Sequence, residues 1–118
     1  MLLRKNDKQK LIQIFSTVAV PVEVWAYGSR VNGAAHEGSD LDLVIRSANL
    51  KRLPLEVIGG LTEKIKDSDI PILIELRDWA TLPESFHKNI QQEYEVLFSS
   101  LQPIFKDPPA EYKTKKDG

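Results

Sequence analysis

Two acidic residues, Asp40 and Asp42, stand one residue apart in Ser39-Asp40-Leu41-Asp42-Leu43-Val44-Ile45, where they alternate with apolar residues. In an extended chain, side chains at i and i+2 leave the same face, with Cα atoms roughly 6–7 Å apart. Carboxylates placed this way repel one another unless a cation lies between them, and their oxygens suit a hard ion such as Mg²⁺. Upstream, the apolar run from Val22 to Tyr27 stops at Gly28-Ser29, where a strand gives way to a short helix. The N–H groups of a helix start, together with the Ser29 hydroxyl, offer a cradle for a phosphate. Each half alone is usually a turn or a solvated strand edge. Together they describe a site for a nucleoside triphosphate.

Three further residues bear on that site. Glu75 is the one charge inside Ile70–Leu76. By itself it reads as a half-exposed residue or a partner of Arg77; beside the aspartate pair it reads as a third carboxylate facing Asp40 and Asp42. Arg30, just after the glycine turn, has two open roles: a phosphate ligand, or a counter-ion to the carboxylates. His36 has no second His or Cys nearby and reads as a solvent-exposed bystander, and His87 as a surface residue.

The elements that must position these groups follow from periodicity. Leu11, Ile12, Phe15 and Val18 form the apolar stripe of an amphipathic helix over residues 5–17, with Lys5, Lys8 and Lys10 on its solvated side. A first strand covers Val20–Tyr27, with Pro21 at its start, where no ladder donor is needed. A second runs from about Leu41 to Arg46. Pro54 opens a helix to Lys66 striped by Leu55, Ile58, Leu61 and Ile65, and Gly59-Gly60 within it either bends the helix or lets it pack closely. A third strand is expected over Ile70–Leu76, and Asp78 beyond it is not assigned as a ligand. Thr81-Leu82-Pro83-Glu84 matches a capping box for a helix through Phe86 and Ile90, with Trp79 as a packing anchor. Tyr94–Phe98 is a short final strand.

Bulk properties bound the rest. The chain has 118 residues, no cysteine, and 16 basic against 17 acidic residues. That length gives one domain, expected over 1–102, followed by a loose tail over 103–118. A formal charge of −1 gives no global pull toward nucleic acid, and basic residues are not interleaved with aromatics, so direct nucleic-acid binding is not expected. Disulfides and sulfur-based zinc sites are excluded. No apolar run approaches the roughly 20 residues of a membrane span, and the first residues lack the order of a secretory signal. A cytoplasmic protein is expected.

Gly28-Ser29-Arg30-Val31-Asn32-Gly33 followed by Ser39-Asp40-Leu41-Asp42-Leu43 resembles the signature of the DNA polymerase beta-like nucleotidyltransferases. More narrowly, over roughly residues 5–100 the chain is similar to the minimal nucleotidyltransferases, small proteins often encoded beside a helical HEPN-domain partner as an antitoxin–toxin pair. The resemblance implies an α/β nucleotidyltransferase fold, a short mixed β-sheet with helices packed mainly on one face. It implies that Asp40, Asp42 and Glu75 are catalytic and hold Mg²⁺, two ions about 3.5–4 Å apart in such sites. It also implies that Gly28, Ser29, Arg30 and Ser39 bind the nucleotide. The implied reaction moves AMP from ATP onto a protein partner, a HEPN ribonuclease toxin that is thereby silenced. Glu75 stands where the superfamily usually carries Asp, so the alternative is a nucleotide-binding antitoxin of weak or no activity that neutralises its partner by binding alone.

Overall fold

The computed structural model describes residues 1–34 and 38–101; His36 and the expected tail lie outside them. Four strands form one mixed sheet in the order β3-β2-β1-β4. They are β1 (Val22–Tyr27), β2 (Leu41–Ser47), β3 (Ile74–Asp78) and β4 (Tyr94–Ser99). The central strand β1 pairs antiparallel with β2 and with β4, whereas β2 and β3 run parallel. A parallel pair needs a crossover, and helix α3 (Leu55–Lys66) lies between those two strands in the chain.

Period-two alternation sorts each strand's residues between the two faces. Leu41, Leu43 and Ile45 of β2, with Val22, Val24 and Ala26 of β1, are fully buried in the main core. Helix α1 (Lys5–Phe15) adds Leu11 and Phe15 to that core, and α3 adds Leu61 and Ile65. Fully burying a side chain the size of Leu11 or Phe15 contributes about 1.5–3 kcal/mol. The opposite face is covered at one end only. There Trp25 and Val44 meet Trp79, on a 3-10 turn (Trp79–Thr81), and Ile90 of α4 (Glu84–Gln92). The Arg46 guanidinium lies 4.1 Å from the Trp25 ring and 4.5 Å from the Trp79 ring. Trp25 also stacks on Tyr94 at 3.8 Å. At the other end this face is open.

Several local expectations are corrected. The third strand starts at Ile74, not Ile70, because pairing with β2 begins at the Leu41–Ile74 register and Pro71 has no N–H for a ladder. It runs on to Asp78, a buried carboxylate that accepts the N–H groups of Leu53 (2.8 Å) and Ala80 (3.0 Å). The capping box does not form: Thr81 ends the 3-10 turn, its hydroxyl donates to the Asp78 carbonyl at 2.9 Å, and α4 starts after Pro83 without a side-chain cap. Leu55, expected on the buried stripe of α3, is 80% exposed, since it opens the helix beyond the reach of the core. A Cβ built on Gly59 or Gly60 meets nothing within 4 Å, so neither glycine serves close packing. His87 is not a free surface residue: its ring lies parallel to Trp79 at 3.9 Å and its Nε2 sits 2.7 Å from the Trp79 carbonyl oxygen.

Candidate active site

The open end of that face gathers the chemistry. Register places Tyr27 opposite Asp42, and Asp42 opposite Glu75, so three neighbouring strands present one row of polar side chains. Asp40 precedes β2 by one residue and is exposed.

Gly28 ends β1 and turns the chain into α2 (Ser29–Asn32). Its φ of 83° and ψ of −157° lie in a region that only glycine occupies readily. Space demands glycine as well, because a Cβ there would sit 2.6 Å from Asp42 Oδ2. The Asp42 carboxylate is thus pressed against the backbone of the glycine turn. The Gly28 carbonyl accepts from Val31 and Asn32, both at 3.0 Å, so the first N–H groups of α2 lie beyond its own hydrogen-bond ladder. Ser29 stands in that first turn.

A residue that the spacing of acids does not reveal sits in the middle of the row. Arg77 leaves the same face of β3 as Glu75 and meets its carboxylate at 2.8 Å (Nη2 to Oε1). Its Nη1 donates to the Tyr27 hydroxyl at 3.3 Å and lies 3.8 Å from Asp42 Oδ1. The i, i+2 spacing of Glu75 and Arg77 is the signal that places this cation at the site. Burial is the main cause that pushes the Asp42 carboxyl above the usual carboxylate range; Arg77 counteracts it, while Glu75 and Asp40 add to it. Burial likewise raises the Tyr27 hydroxyl, against the pull of Arg77. Tyr27 is therefore a neutral donor and acceptor at physiological pH.

Arg30 lies 6% exposed and turns inward. Its Nε donates to the Ser39 carbonyl at 2.9 Å and its Nη1 to the Leu2 carbonyl at 2.6 Å. It ties α2 and the amino-terminal segment to the loop that delivers Asp40. Ser39 meets Arg30 through its backbone carbonyl.

The donor set fits a hard divalent cation in kind: oxygens only, one carboxylate partly buried beside a second, and a cation already between them. Among the described residues, no three carboxylates are drawn together tightly enough to ligate one ion in this conformation. The Arg77 guanidinium pairs with Glu75 at 2.8 Å and lies 3.8 Å from Asp42.

A mixed sheet with a glycine turn braced on a strand carboxylate is the frame of a nucleotide-transferring fold. The chain belongs to the Polymerase beta, Nucleotidyltransferase family, whose model matches residues 9–102. It is 38% identical over 96 residues to a Haemophilus influenzae protein named Probable protein adenylyltransferase MntA, covering 79% of this chain and 81% of that one. Among solved structures it resembles a toxin–antitoxin structure with AMP-PNP, with a TM-score of 0.59 at 21% identity over 83% of this chain and 75% of that chain. A second is a tri-AMPylated Shewanella oneidensis HEPN toxin in complex with an MNT antitoxin, with a TM-score of 0.57 at 16% identity over 83% and 74%. At these identities the structural likeness is one of fold.

Proposed function

We propose that this chain transfers AMP from ATP to a protein partner and, by doing so, acts as antitoxin to a HEPN ribonuclease. One observation carries the reading: the Asp42 carboxylate lies within a methyl group's reach of the Gly28 turn. A polyphosphate on that turn and a cation on that carboxylate would therefore be immediate neighbours. The names of the Haemophilus relative and of the AMP-PNP and AMPylated complexes point to the same chemistry.

In this reading the Gly28-Ser29 backbone and the Ser29 hydroxyl hold the outer phosphates. Asp40, Asp42 and Glu75 are the carboxylates that would hold Mg²⁺, which supplies charge neutralisation at the attacking and leaving oxygens when bound. Glu75, on the outer strand of the row, faces the nucleophile's side. Arg30 positions the loop bearing Ser39 and Asp40 through its carbonyl contacts. The acceptor hydroxyl comes from a second molecule, a reading supported by the AMPylated toxin in complex with an antitoxin of this fold.

The direct test is to incubate the protein with labelled ATP, Mg²⁺ and the product of its neighbouring gene. Label should pass to the neighbour, and Asp42→Asn should abolish the transfer. Lack of nucleotide binding by the wild type would end the proposal. A specific observation favours the second reading, an antitoxin that neutralises by occupation alone: Glu75 is paired to Arg77 at 2.8 Å. A neighbour that is silenced without acquiring label decides for that alternative.

A further inference from the structure

Arg77 gathers polar side chains from three neighbouring strands: Tyr27 of β1, Asp42 of β2 and Glu75 of its own strand β3. We infer that Arg77 is a fixed cation of the active site, standing where a second metal ion would otherwise sit, so that the carboxylate row takes one divalent ion and not two. The inference rests on the nucleotidyltransferase reading and narrows the number of ions it needs.

Position is the first argument. Asp42 and Glu75 are register partners on adjacent strands, so an ion shared between them would lie over the seam of β2 and β3. The guanidinium of Arg77, two residues along β3 from Glu75, reaches back over that seam. Its Nη2 lies 2.8 Å from Glu75 Oε1 and its Nη1 3.8 Å from Asp42 Oδ1. A bystander on the strand surface would need one acid at most; this side chain touches one and approaches a second.

Anchorage is the second. Nη1 also donates to the Tyr27 hydroxyl at 3.3 Å. That hydroxyl is neutral, so an arriving cation draws on it far less than on a carboxylate, and it holds the guanidinium from the side away from Glu75. A guanidinium keeps its charge at every physiological pH, and its donors are fixed in one plane. Mg²⁺ by contrast demands near-octahedral oxygens and gives up its water reluctantly. Glu75 therefore belongs to the row with one oxygen committed to Arg77.

Charge is the third. Three carboxylates, Asp40, Asp42 and Glu75, against one guanidinium leave two negative charges, which a single Mg²⁺ cancels. A second ion would have to settle beside the guanidinium and strip Glu75 from it. In two-metal sites the ions stand about 3.5–4 Å apart, and here a resident positive charge fills the nucleophile's side of the row.

The test counts Mn²⁺, a divalent ion with an electron-spin signal, on the full chain saturated with AMP-PNP. Equilibrium dialysis gives ions per bound nucleotide for the wild type, Arg77→Met and Arg77→Lys. The Arg77 side chain is 39% exposed, and unchanged melting temperatures check that each variant keeps its fold. The wild type should bind one Mn²⁺ per nucleotide, with the spin spectrum of an isolated ion. Arg77→Met should bind two, with a spectrum broadened by coupling between close ions, and Arg77→Lys, which keeps a charge there, should stay at one. Two ions in the wild type or in Arg77→Lys, or one in Arg77→Met, would overturn the inference and leave the nucleotide site standing. Loss of AMP-PNP binding in a folded Arg77→Met would overturn it as well, since a residue that only replaces an ion leaves the phosphate turn intact. If the wild type binds no AMP-PNP, the nucleotidyltransferase reading itself fails.

Discussion

Replacing Gly28 with alanine perturbs backbone and carboxylate at once, and a second glycine separates the two effects. At φ 83° and ψ −157° a Cβ residue is strained by about 1–3 kcal/mol. The new methyl group would also lie 2.6 Å from Asp42 Oδ2, and ordinary contact begins near 3.4 Å, so the carboxylate must retreat by roughly 0.8 Å. A displacement of that order in a reacting group costs about 10²-fold in rate. Gly33→Ala is the control: its φ of 86° and ψ of 0° also strain a Cβ residue, in the milder left-handed region, but nothing lies within 4 Å of its Cβ. With roughly 4–8 °C in Tm per kcal/mol for a domain near this size, both variants should melt several degrees early. Transfer of label from ATP, measured well below either Tm, should fall about a hundredfold in Gly28→Ala and stay near wild type in Gly33→Ala. Full transfer by Gly28→Ala, or equal losses in the two variants, would refute the claim that this glycine positions the carboxylate.

Arg77→Met removes the cation that now occupies the carboxylate row. Two half-exposed ion pairs of about 0.2–1 kcal/mol each compete with Mg²⁺ there, so calorimetric titration should show Mg²⁺ binding several-fold tighter, and unchanged or weaker binding would contradict the competition. Asp7 is buried and hydrogen-bonded to Arg4 at 2.8 Å, which holds its carboxyl below the usual range. The stability from this pair is present above the unfolded carboxyl's value of about 3.9 and lost as pH falls through the lower folded value. Melting curves across pH should therefore show Asp7→Asn destabilised at pH 7, with the penalty fading in acid. Gly59→Ala and Gly60→Ala, at open helical positions, should each raise stability by about 0.5–1 kcal/mol in urea titrations.

Periodicity made the scaffold legible. The stripe of α1, the alternation of β1 and β2 and the stop at Gly28 each express a local rule that tertiary packing leaves in force. The edges of elements obey competitors that sequence does not display. Thr81 surrendered its expected cap because Asp78, a residue of the strand before it, had already capped the 3-10 turn. Leu55 looked like stripe, yet the first residue of α3 projects past the sheet. At the site, Gly28, Asp42 and Glu75 were readable as residue types at suggestive spacings, while their adjacency depends on strand order and register. Arg77 pairs with Glu75, as one reading of the sequence had it, and also reaches toward Asp42, whereas Arg30, a candidate counter-ion, meets the Ser39 and Leu2 carbonyls. Whether a guanidinium faces the carboxylates or the backbone is decided by which strand or turn carries it, and Arg77 shares a face with Glu75 whereas Arg30 points under α2.

Along β2 the odd-numbered residues Leu41, Leu43 and Ile45 are inside and Asp42 looks out, so the core and the candidate site occupy interleaved letters of a single strand. A change at Asp42 alone leaves both buried clusters intact, and with them an object that other proteins can still grasp. A cell carrying a chemically silenced copy would then hold a competitor rather than a gap, with the damaged molecule contesting the intact one for whatever they both embrace.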